Sequence, residues 1–149
     1  DAVGGEFRPL FAAHRAEPRP SDPALSAWRA ANCLRGLRGN VHWSICATHD
    51  LNAVEVGLLH SAMVDSDEYG GEEWIARSRG WDDDAIANGW ERLASKGWAA
   101  DQRLTEEGRA ARHAIEQQTD ELTSPAWIAV GEDVTRRFCE AIEAHESAS

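Results

Sequence analysis

The sequence predicts a mainly α-helical domain in which a tight pair of short strands separates two of the helices. Three observations carry this. Apolar residues recur at helical spacing along most of the chain. Asp22, Asn52, Asp82 and Thr105 stand as capping residues at the head of such stretches. Residues 98–104 are extended in character but too few for a sheet of their own, and they suit a β-wing. The length, 149 residues, suits one domain, and seven Trp supply apolar area for its core.

Residues 1–22 read as an irregular linker or docking arm, because Gly4, Gly5, Pro9, Pro18 and Pro20 break helices. Phe7, Leu10 and Phe11 are apolar enough to dock on a neighbour. Residues 23–149 form the domain proper. Asp22-Pro23 is a cap followed by Pro at the first helical position, and the helix runs to about Arg38. A second helical stretch, Asn40 to Thr48, is either separate or continuous with it. Asn52 and Glu55 make a capping-box start for a helix to about Val64, apolar nearly all round and therefore central. The acidic stretch beginning at Asp65 reads as a solvated loop as far as Gly71. A short helix, Glu72–Ser78, and the turn Gly80-Trp81 lead to a helix from Asp82 to Lys96, with Ile86, Trp90 and Leu93 inward. Gly97 ends that helix, and Asp101-Gln102 turns the strand pair. Thr105 opens a long helix whose seam is Leu104, Gly108, Ala111, Ile115 and Leu122, and which Pro125 ends. A last helix, Glu132 to His145, buries Val134, Phe138 and Ile142.

From residue 52 the order is helix, short helix, helix, strand pair, long helix, which is the winged helix-turn-helix order. The stretch Trp90 to Trp98, followed by Leu104-Thr105-Glu106-Glu107-Gly108-Arg109, resembles the MarR-type regulators, with a much shorter wing. A closer resemblance runs over about residues 10–145. It rests on Arg35 to His42, Leu51 to Val56, Arg79-Gly80-Trp81, Thr119-Asp120 and Pro125-Ala126-Trp127. Through these the chain resembles the second half of a poorly characterised actinobacterial MarR-like helix-turn-helix family, whose members are about twice as long. The resemblance implies a winged-helix fold. It also implies that the chain is a fragment, or that a partner domain or subunit supplies the first half.

Charge argues against nucleic acid as the partner of this chain alone. The net charge is −11, whereas affinity for nucleic acid comes largely from neutralising phosphates. In the predicted recognition helix, Asp82, Asp83, Asp84 and Glu91 face only Arg92 and Lys96. Three aspartates stand at the end that would approach phosphate, where they favour the helix dipole instead.

Candidate chemistry centres on histidine. His42 and His60 are the candidate catalytic pair, since imidazole moves protons near neutral pH. Arg35 and Arg38 are candidate ligand-binding residues for a carboxylate, sulfate or phosphate, and Trp43 and Glu55 complete a pocket between helices. The competing reading makes the histidines structural. His42, Cys46 and His49 would share one helix face, but a packed helix explains them without a metal. The three cysteines, Cys33, Cys46 and Cys139, show no paired spacing and fit a reducing cytoplasm. Cofactor motifs are absent, so no cofactor is expected. The resulting expectation is a winged-helix domain repurposed for small-molecule binding or proton-transfer chemistry of elimination or cyclisation type, in specialised metabolism, within a heteromeric complex. Its rivals are a MarR-like DNA-binding regulator that dimerises through its terminal helices, and a structural subunit.

Overall fold

The computed structural model describes residues 3–64, 68 and 70–146; of the acidic run that opens at Asp65, the residues Asp65, Ser66 and Asp67 lie outside the described residues. The helices in chain order are α1 (Pro9–Ala16), α2 (Pro23–Thr48), α3 (Ala53–Leu59), α4 (Trp74–Ser78), α5 (Asp83–Ser95), α6 (Glu106–Val130) and α7 (Glu132–Glu146). Strands β1 (Ala99–Ala100) and β2 (Arg103–Leu104) lie between α5 and α6. Among the described residues no helix is long and apolar enough to cross a membrane. The chain divides into two compact units. The terminal unit holds Asp1–Val41 with Thr119–Ser149, and the middle unit holds His42–Gln118.

In the middle unit the capping box forms as the sequence predicts. Asn52 Oδ1 accepts from the N–H groups of Val54 (2.9 Å) and Glu55 (3.0 Å), and Glu55 Oε2 accepts from the Asn52 N–H at 2.9 Å. Every residue from Val54 to Leu59 is buried, so α3 is the core helix. It stops short of Val64 and tightens into a 3-10 turn over His60–Ala62. The Ser61 hydroxyl donates to the Leu58 carbonyl at 3.0 Å, competing for the oxygen that a further α-turn would use. Asp82 caps α5 by accepting from the Ala85 N–H at 2.9 Å, and Ile86, Gly89, Trp90 and Leu93 are buried.

The strand pair is antiparallel, with Ala99 opposite Leu104 and Ala100 opposite Arg103. Asp101 (φ 50°) and Gln102 (φ 57°) both take the left-handed conformation that a two-residue hairpin turn of this twist requires. Thr105 then caps α6 by accepting from the Gly108 N–H at 3.1 Å. A Cβ at Gly108 would lie 2.1 Å from the Trp98 carbonyl oxygen, so this approach of helix to hairpin admits only glycine.

The terminal unit departs from the sequence reading in four places. Residues 9–16, expected to be irregular, form α1, because Pro9 sits where a helix tolerates it, in the first turn. Phe11 is buried, and its N–H donates to Asn40 Oδ1 of α2 at 3.1 Å. Gly36 of α2 allows the close approach: a Cβ there would stand 3.0 Å from the His14 ring and 3.4 Å from the α1 backbone. Residues 23–48 form one helix, α2, the continuous form of the two that the sequence left open. Pro125 does not end α6, which continues to Val130. Proline leaves the Glu121 carbonyl without its usual donor, and the Ser124 hydroxyl donates to that oxygen at 2.8 Å. Lastly, the buried positions late in α6 are Thr119 and Thr123, while Leu122 is 57 % exposed. The Thr123 hydroxyl donates back to the Thr119 carbonyl at 2.8 Å, which satisfies it inside the unit. In α7, Val134, Phe138 and Ile142 are about half exposed rather than buried.

Candidate functional site

Helix α5, which the sequence reading expected to be the recognition helix, turns its apolar residues inward and exposes Asp83, Asp84, Ala87, Asn88, Glu91 and Ser95. Three of the cations beside it, Arg77, Arg92 and Lys96, are paired with carboxylates, while Arg79 and Arg103 are exposed. Arg92 Nε donates to Glu55 Oε2 at 3.0 Å, and its Nη2 donates to the Asp50 carbonyl at 2.9 Å and to Asp50 Oδ2 at 3.1 Å. Lys96 Nζ lies 3.5 Å from the same Asp50 oxygen. Arg77 spans Asp83 at 2.8 Å and Glu73 at 2.6 Å. The ion pairs leave their marks on titration: Arg92, with Lys96 behind it, holds the Asp50 carboxyl below its ordinary value. Asp83 and Glu73 hold the Arg77 guanidinium above its own.

In the middle unit His42 and His60 each pack against a tryptophan. His42 Nε2 lies 3.6 Å from Cys46 Sγ, and its ring meets Trp43 edge-on at 6.1 Å. Cys46 is 1 % exposed, and burial pushes its thiol up, so it stays protonated. His60 packs edge-on against Trp74 at 6.0 Å. Partial burial lowers its pKa, and the positive charges of Arg112 and Arg79 lower it further against the opposing charge of Glu116, so its surroundings favour the neutral ring. Arg112, paired with Glu116, acts on both Cys46 and His60. The sequence reading passed over Arg112, although it lies four residues after Gly108 and three before Ile115, in the buried phase of α6. Glu55 is fully buried and serves the Asn52 cap and Arg92. Trp43 remains 40 % exposed. The His49 ring rests on Trp98 at 5.9 Å, and among the described residues no group of three His, Cys, Asp or Glu side chains could hold a metal ion.

Arg35 and Arg38 do come together, in the terminal unit. They line an open groove of about 480 Å³ whose apolar walls are Leu34, Leu37, Trp127 and Ile128. Arg38 Nη2 is paired with Asp120 Oδ1 at 2.9 Å. Among the described residues Arg35 makes one hydrogen bond, at 3.4 Å, to Asn32 Oδ1, and no ion pair. The groove also takes in Thr123 and Ser124, which sequence reasoning missed because both sit beyond the mid-helix Asp120 on a helix thought to end at Pro125.

Among the described residues the structure defines a mainly helical chain with a small strand pair between α5 and α6. The model of a helix-turn-helix family matches residues 1–148, and the chain belongs to that family. No curated protein and no solved structure gave a match.

Proposed function

We propose that this chain is a helix-turn-helix domain turned from nucleic-acid recognition to small-molecule binding, working with a protein partner. The observation that carries the reading is the outer face of α5. It presents Asp83, Asp84 and Glu91, while Arg77, Arg92 and Lys96 are paired with carboxylates of the same unit. A helix offering carboxylates where phosphate must lie repels the backbone that supplies most of the affinity. Support for a partner comes from the terminal unit, where Leu122, Ile128, Val134, Phe138 and Ile142 stand open to solvent. Support for ligand chemistry comes from the groove beside Arg35 and Arg38. His60, kept neutral by its surroundings, is the imidazole suited to accept a proton in any step of elimination or cyclisation type, and His42, bonded to a buried thiol, is the second.

The test is an electrophoretic shift with a random-sequence duplex and with the chain's own upstream DNA, at low salt. The expected result is no shift. A shift that weakens with added salt would overturn the reading. It would favour the second one, a DNA-binding regulator of MarR-like form, for which the strand pair following α5 and the uncovered terminal helices speak.

A further inference from the structure

We infer that the groove of the terminal unit is the binding site for an organic anion with a single carboxylate or sulfonate head and an apolar, flat body. The inference rests on the small-molecule reading above and adds to it the site and the ligand class.

Its volume, about 480 Å³, falls in the range of about 300–1,000 Å³ typical of small-molecule pockets. Leu34, Leu37 and Ile128 give it aliphatic walls, and the Trp127 indole gives it an aromatic one suited to a planar body. The charges select the sign of the head. Arg38 and Asp120 neutralise one another. Among the described residues Arg35 has only the long bond to Asn32 and no carboxylate, so its guanidinium in the groove is uncompensated there. A guanidinium fork matches a carboxylate in shape as well as charge. The polar wall is equally specific. The Thr123 and Ser124 hydroxyls spend their protons on the carbonyls of Thr119 and Glu121. What they offer a ligand is therefore acceptor lone pairs, which suits a body bearing a hydroxyl or N–H group.

The experiment is a fluorescence titration with two probes of one shape, anilinonaphthalene sulfonate and its uncharged parent N-phenylnaphthylamine. Both are expected to bind the wild-type chain at one site, with energy transfer from tryptophan. Arg35→Met should weaken the anionic probe about tenfold, the effect of one charge-assisted hydrogen bond. It should leave the uncharged probe within about twofold. Trp127→Ala should weaken both. Arg35 is exposed, so its replacement spares the fold, and circular dichroism checks this for both variants. Saturable binding of both probes that neither substitution changes would overturn the groove as the site and leave the small-molecule reading standing. Failure of both probes to bind, together with a salt-sensitive DNA shift, would overturn both. If sedimentation shows a stable dimer that excludes the probes and that Trp127→Ala dissociates, the groove is an interface between copies and the inference falls.

Discussion

The two units place apolar residues at the same helical spacing and bury them to opposite extents. In the middle unit Leu58, Leu59 and Leu93 are fully buried and Ile115 is 1 % exposed. In the terminal unit Val134, Phe138 and Ile142, at equally regular helical spacing, are 52 %, 48 % and 48 % exposed. Periodicity states that one face of a helix is apolar; it does not state which molecule covers that face. The middle unit covers its own faces. The terminal unit leaves most of its large apolar side chains bare, and this is what the proposed partner would cover.

Truncations in the two units break or sharpen this contrast most directly. Leu58→Ala should cost about 3 kcal/mol in urea denaturation, because it opens a cavity in the closed core of α3. Phe138→Ala, removing a half-exposed ring, should cost under about 1 kcal/mol. Equal losses at the two positions would mean that α7 is already covered in solution, and the contrast would dissolve.

Much of the middle unit was legible because its signals are local. Asn52 with Glu55, Asp82, Gly97 and Thr105 mark helix ends by hydrogen bonds to backbone groups within three or four residues, and each does so in the structure apart from Gly97, whose φ of 76° supplies a turn instead. The terminal unit was harder to read because its decisive contacts are distant or concealed. Nothing near Pro9 announces that Gly36 leaves room for α1, and nothing at Pro125 announces that the preceding serine keeps α6 going. The candidate site divides along the same line. Arg35 and Arg38 lie on one stripe of a predicted helix and could be paired by eye, but Asp120 and Trp127, far along the chain, had to be brought beside them by the fold. Glu55 was legible as a cap, and that is what it is; its place in a pocket had no local signal behind it.

Pro125 offers a smaller and more selective test. A proline inside a helix costs up to about 3 kcal/mol relative to alanine. Ser124 recovers part of this by bonding the Glu121 carbonyl. Pro125→Ala should therefore stabilise the chain by about 1 kcal/mol and raise its melting temperature by a few degrees. The same substitution frees Ser124 from its role and should loosen the groove wall. A more stable variant that binds the anionic probe less well would tie the helical irregularity to the site; a less stable one would show that the proline is required by packing that the terminal unit does not reveal.

The smallest expected effect is on pH dependence, and it belongs to the middle unit alone. The folded pKa of His60 lies below its ordinary value of 6.5, from burial first and from Arg112 and Arg79 next. Below 6.5 the unfolded chain takes up a proton at this residue while the folded chain resists, so the unfolded state binds more protons and stability falls as pH falls. The contribution is fully present above 6.5 and is lost as pH drops through the folded value. Asp50, held below its ordinary value of 3.8 by Arg92, acts with the same sign but only in stronger acid. Cys46 acts at the other end: its thiol is pushed above 9.0 by burial, so the folded chain keeps a proton that the unfolded chain sheds, and stability falls as pH rises past 9.0. Denaturation midpoints should thus form a plateau between about pH 7 and 9, with a shallow acid shoulder starting near 6.5. His60→Gln should flatten that first shoulder and leave the later acid limb intact. A shoulder that survives the substitution would assign it to another histidine, and His60 would then lose the one physical property that singles it out as a proton acceptor.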